Sequence, residues 1–127
     1  MAAVVILAAM LVIAERGDPE QACATEPAVC STVRDFVAAR NERDAVALFD
    51  MLTEQGMVRL LSVNSREELE ERLQLLSPGD QIEEVQINLV SLRDDEATVV
   101  ARLFQGDDEF PAVYRLIRHE DGWLIDG

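Results

Sequence analysis

The chain has 127 residues, enough for one domain with a hydrophobic core and too few for two. Apolar residues make up 49%, which argues against general disorder, and 25 acids against 11 bases leave a net charge of −14. No basic stripe offsets that charge, so nucleic acid and anionic membrane surfaces are both poor partners. Every base is an arginine. Together with abundant Ala, Val, Leu and Asp, this suggests a GC-rich coding genome.

The first element in chain order is an uncharged apolar run, Ala2 to Ala14, "AAVVILAAMLVIA". As a helix it would span roughly 20 Å, short of the ~30 Å hydrocarbon core of a bilayer. Its length fits the h-region of a secretory signal. No base precedes it, and the first is Arg16 behind it, so one explanation is a start that lies inside a longer leader. Ala22-Cys23-Ala24 has A-x-A form but sits far downstream, and Glu20 three positions before Cys23 rules out a lipobox. The competing reading is a buried helix or strand of a cytosolic domain. The expectation is an exported or membrane-tethered chain at the cell envelope. Residues 1–14 are its signal or anchor, 15–27 a polar linker, and 28–127 the domain.

Cys23 and Cys30 flank "ATEPAV". An even cysteine count in an exported chain favours a disulfide, which on entropy grounds contributes about 2 kcal/mol for so short a loop. Metal binding lacks further ligands, and redox catalysis lacks C-x-x-C spacing.

From Thr25 the pattern is helical, with Val29, Val33, Phe36, Val37 and Arg40 along one face. "NERD" interrupts it, and Asp44 is a plausible N-cap for a second helix carrying Val46, Leu48, Phe49 and Leu52, with Gly56 as its stop. "MVRLLSVN" reads as either a short strand or an irregular crossing. A third helix opens on a capping box in which Glu68 reaches back to the Ser65 amide. Leu69, Leu73 and Leu76 supply its buried face.

After Pro78 the period becomes that of strands. Val85, Ile87 and Leu89 alternate with polar residues, with a bulge expected at Leu89-Val90. Ala97 to Phe104, Phe110 to His119 and Trp123 to Asp126 follow, separated by tight turns, with Gly122 at a position suited to positive φ. The predicted fold class is α+β, N-terminal helices packed on a curved antiparallel sheet. Val100, Phe104 and Ile117 point away from Val99, Leu103 and Leu116, so both sheet faces carry apolar residues. A homodimer through the sheet is the expected consequence.

"VRDFVAARNERDAVALFDML" resembles the opening helix pair of NTF2-like (SnoaL-like, cystatin-like cone) domains, and "VYRLIRHEDGWLIDG" is similar to their closing hairpin. The resemblance covers about Val29 to Gly127. A leader, a cysteine pair and a domain of this size also resemble exported NTF2-like proteins of actinobacteria. It implies a cone-shaped fold that hosts isomerases, cyclases, hydrolases and plain binding modules, so it leaves function open.

His119 as a general base is outweighed by a solvated hairpin shoulder, and Trp123 as a stacking platform by a core plug. Tyr114 and Asp126 are the one pair considered for acid–base work, conditional on strand register. The acid clusters at Asp94 to Glu96 and Asp107 to Glu109 lack calcium-loop spacing, and no metal or cofactor is expected. The leading expectation is a non-catalytic module for a small apolar ligand, with a pocket formed by Val33, Phe36, Val37, Tyr114 and Trp123. The alternative is a small cyclase or isomerase using an interior carboxylate.

Overall fold

The computed structural model describes residues 23, 24, 26–120 and 122–127. The apolar run at 2–14 and most of the linker expected at 15–27 lie outside the described residues. Helix α1 spans Pro27–Asn41, with the proline in its first turn, where a missing N–H costs nothing. Val29, Val33, Phe36 and Val37 are buried at the spacing the sequence predicts. A disulfide joins Cys23 to the buried Cys30 and ties the residues ahead of α1 to its second turn.

Helix α2 spans Ala45–Met51, and the Asp44 carboxylate caps it by accepting from the Ala47 amide at 3.1 Å. Its buried face is narrower than expected: Leu48 is buried, whereas Val46 and Phe49 are 50% and 39% exposed. A helix of seven residues touches α1 along one line only, and these two side chains fall beside it.

Leu52 leaves the helix in an extended conformation and bridges Ile125 in parallel. Thr53 then starts a single turn, α3 (Glu54–Gly56), by accepting from the Gly56 amide. The turn widens into a π-helical turn over Met57–Leu61, which Ser62 ends in the left-handed region. The ambiguous "MVRLLSVN" is therefore helical at its start. Gly56, expected as a helix stop, lies inside this segment because it packs against the backbone of Ile125.

Helix α4, Arg66–Gln74, buries Leu69 and Leu73. Its cap differs from the prediction in one bond. Ser65 accepts from the Glu68 amide, but the Glu68 carboxylate reaches the Asn64 amide, at 2.7 Å, rather than that of Ser65. A 3-10 turn at Pro78–Asp80 follows, in which Asp80 accepts from both the amide and the hydroxyl of Ser77. Those two bonds hold its carboxyl below the ordinary value of 3.8.

Four strands complete the chain: β1 (Glu84–Arg93), β2 (Glu96–Gln105), β3 (Asp108–His119) and β4 (Gly122–Ile125). They form an antiparallel meander in the order β1-β2-β3-β4. The first two hairpins each turn on a left-handed residue, Asp94 and Gly106. At the third turn Glu120 takes that conformation, while Gly122 already pairs with His119. The bulge falls one step earlier than expected, between Ile87 and Leu89. It turns Leu89 to the outer face, opposite Val100, and leaves it 55% exposed.

One sheet face is the core. Ile87, Ala97, Val99, Ala101, Leu103, Tyr114, Leu116, Trp123 and Ile125 pack there against the helices. The other face carries Leu89, Val100 and Val113 in a row across three strands, with Ile117 and Leu124 beside it.

Candidate functional site

A cavity of about 140 Å³ opens where the helical layer leaves the sheet near the β2–β3 turn. The last turns of α1 contribute Phe36, Val37 and Arg40. Leu60 and Leu61 come from the π-helical turn, and Ile82 from the segment entering β1. The sheet contributes Leu103, its direct partner Phe110, and Tyr114 on the same face of β3. Phe36, Val37, Leu103 and Tyr114 are buried and form the floor, while Arg40, Leu60, Leu61 and Phe110 are half-buried and form the rim. A shallower depression between α2 and α4 is larger, at about 340 Å³, but most of its lining side chains are exposed. The first is the more apolar and the more enclosed of the two.

The rim is held by side chains of α1. Asn41 makes two bonds to Ile82, accepting from its amide at 2.9 Å and donating to its carbonyl at 2.7 Å. Arg40 donates from Nη1 to the Asp80 carbonyl at 2.9 Å. Its other N–H groups have no protein acceptor among the described residues. Tyr114 packs edge-to-face on Phe36, with ring centroids 5.8 Å apart. Burial raises the phenol above its ordinary value of 10.0, and the Arg40 charge partly opposes that shift. The phenol is therefore a neutral donor at physiological pH.

Of the five residues expected around a pocket, Phe36, Val37 and Tyr114 line this cavity together. Val33 is fully buried behind it, in the solid part of the core. Trp123 is also buried but lies at the other end of the sheet, with the Arg118 guanidinium 4.5 Å over its ring. Arg118 in turn faces Glu26 at 3.9 Å and Asp95 at 3.7 Å, so it covers that end of the core. Asp126 does not join Tyr114 at the cavity. Its carboxylate accepts from the Thr53 hydroxyl at 2.7 Å, beside β4. His119 is exposed, with Glu120 at 4.0 Å as its acidic neighbour.

The lining residues that sequence reasoning missed are Arg40, Leu60, Leu61, Ile82, Leu103 and Phe110. Arg40 had left a trace as the polar end of the α1 stripe. Leu60 and Leu61 had not, because a π-helical turn matches neither the helix nor the strand period.

A comparison with solved structures finds a Campylobacter jejuni protein described as a candidate NTF2-like transpeptidase. It matches with a TM-score of 0.54 and 12% identity, over 79% of this chain and 96% of that one. The chain has an NTF2-like fold. No family model and no curated protein sequence matches it. Within the NTF2-like cone the cavity lies between the last turns of α1 and the concave sheet face. Among the described residues, no three His, Cys, Asp or Glu side chains converge as a metal site. The disulfide points to an oxidising environment. No described helix is long and apolar enough to cross a membrane.

Proposed function

We propose that this chain is an extracytoplasmic module that binds a small apolar ligand in its NTF2-like cone and does no chemistry on it. The observation that carries the reading is the composition of the cavity lining. Seven of its nine described residues are apolar, and the other two, Arg40 and Tyr114, are cationic and neutral donors rather than bases. Proton abstraction needs a base within hydrogen-bond reach of the substrate. Neither Asp126 nor His119 is in the lining. The rival reading, a small cyclase or isomerase, keeps Tyr114 as an acid but finds no carboxylate beside it among the described lining residues.

Export rests on the disulfide and on the leader-like run at residues 2–14. Secretion or tethering through that run would place the domain in the compartment where the Cys23–Cys30 bond persists. A second copy of the chain is the proposed partner for the outer sheet face, because Leu89 and Val113 are 55% and 54% exposed there. Mass spectrometry of the native protein recovered from cells tests the main reading. A processed N-terminus and a co-purifying small apolar molecule are expected. Turnover of such a molecule by the purified protein would replace the binding reading with the enzymatic one.

A further inference from the structure

Resting on that binding reading, we infer that the ligand is a short apolar monocarboxylate, its acid group held by Arg40 and Tyr114 and its hydrocarbon part by the cavity walls. The argument begins with charge. The chain carries 25 acids and 11 bases. Yet of the nine described residues lining the cavity none is acidic, and one is an arginine. A site chosen at random on so acidic a surface would hold carboxylates. The described lining holds a cation and no carboxylate, and the carboxylate that feels Arg40, Asp80, lies outside it.

Arg40 is also placed for the task. Its Nη1 is committed to the Asp80 carbonyl, and that bond fixes the guanidinium at the rim. The remaining N–H groups have no protein acceptor among the described residues. A guanidinium presents its donors in a planar fork that matches a carboxylate, and the apolar surroundings strengthen the attraction. Asn41, the next residue, locks Ile82 with two hydrogen bonds, so the rim around the guanidinium is preorganised.

Tyr114 is the second donor. Its ring is buried in the floor, and its hydroxyl has no protein partner among the described residues. The hydroxyl belongs to the cavity lining and can donate to a ligand oxygen, and a carboxylate oxygen accepts such a bond.

Size completes the class. An apolar cavity of ~150 Å³ takes up a molecule the size of benzene. At about 140 Å³, this cavity suits an acid of roughly that bulk. Phe36, Leu103 and Phe110 offer its hydrocarbon part only apolar contacts. A dicarboxylate would leave its second charge against them without a partner.

The test is calorimetric titration of the full chain with hexanoate and, separately, with hexan-1-ol. The two probes share a tail and differ in the head group. Hexanoate is expected to bind at least tenfold more tightly, and its affinity to fall with added salt while that of hexanol does not. Arg40→Met should abolish the preference, and Tyr114→Phe should weaken hexanoate more than hexanol. Salt dependence is read on the unaltered protein, so it stands even where a variant folds poorly. Equal affinity for the two probes would overturn the acid-head inference and leave the apolar-cavity reading standing. Binding of neither probe at millimolar concentration would sink both. A preference for hexanoate that survives Arg40→Met would also overturn the assignment.

Discussion

Gly56 lies against the carbonyl oxygen of Ile125 so closely that a Cβ built on it would stand 2.3 Å from that oxygen. The carbonyl cannot move away freely, because it accepts from the Thr53 amide at 3.0 Å and anchors the end of α2 to β4. Gly56→Ala therefore sets a steric cost of up to about 3 kcal/mol against a helix-propensity gain of about 1 kcal/mol. A net loss near 2 kcal/mol in urea unfolding is expected. An alanine variant as stable as the parent would contradict the close approach.

The same contact marks where the sequence was legible and where it was not. The α1 stripe, the Asp44 cap and the β meander all follow from periodicity and from side chains acting within a few residues, and all appear in the structure. Gly56 was misread because a helix-stopping glycine and a packing glycine look alike until the distant strand is in place. The bulge at Asn88 shifted by one residue and so reversed Leu89, which alternation alone had put with Ile87. The cavity was legible in three of its nine described lining residues. Phe36, Val37 and Tyr114 follow from α1 and β3 facing each other, whereas Ile82, Leu103 and Phe110 depend on how far the helical layer covers the sheet. Trp123 obeyed its face but not its place, since nothing local says which end of the sheet stays open.

The disulfide closes a loop between positions seven apart in sequence. The chain-entropy account gives such a crosslink about 2 kcal/mol. Replacing both cysteines by serine should cost that and more, because Cys30 is buried in the apolar core and a hydroxyl there gives up its hydrogen bonds to water. Replacing both by alanine isolates the crosslink. Denaturant midpoints for the two double variants, compared with the reduced parent, check the ordering. A serine pair as stable as the alanine pair would place position 30 in contact with water.

Tyr114 is the chain's single tyrosine, so phenolate ultraviolet absorbance reports on it alone. Burial raises its pKa above 10.0 in the folded protein, and the unfolded chain has the ordinary value. The folded state thus holds the phenolic proton more tightly. Its contribution to stability is full below the unfolded value and is lost as pH rises through the folded one. Alkaline titration should show a midpoint above that of free tyrosine, moving to the ordinary value in urea. Tyr114→Phe should remove this part of the alkaline loss of stability. A midpoint at or below the ordinary value would mean that the ring is not buried.

If a second copy covers the outer sheet face, charge placed in its apolar row should separate the copies. Val113→Arg is the informative change, because it reduces the magnitude of the net charge of −14 and so weakens long-range repulsion. Dissociation caused by that variant would therefore come from the contact itself. Sedimentation should show the parent as a dimer at tens of micromolar and Val113→Arg and Leu89→Arg as monomers. A monomeric parent at that concentration would dispose of the proposal.

Asp126 separates the two functional readings. Its carboxylate accepts from the Thr53 hydroxyl at 2.7 Å, and the same hydroxyl accepts from the Gly56 amide at 2.9 Å. Both bonds belong to the joint between α3 and β4, so Asp126→Ala should act on stability. Thr53 is half-buried and its freed hydroxyl can reach water, which limits the loss to about 1 kcal/mol. Thr53→Val should cost about 2 kcal/mol, since it removes the cap as well. The double variant should cost less than the two losses added, because one bond is counted in both. Hexanoate affinity should be unchanged in Asp126→Ala, because Asp126 does not line the cavity. A large loss of binding with full stability would instead put the carboxylate at the ligand, where an interior acid–base residue would have to be.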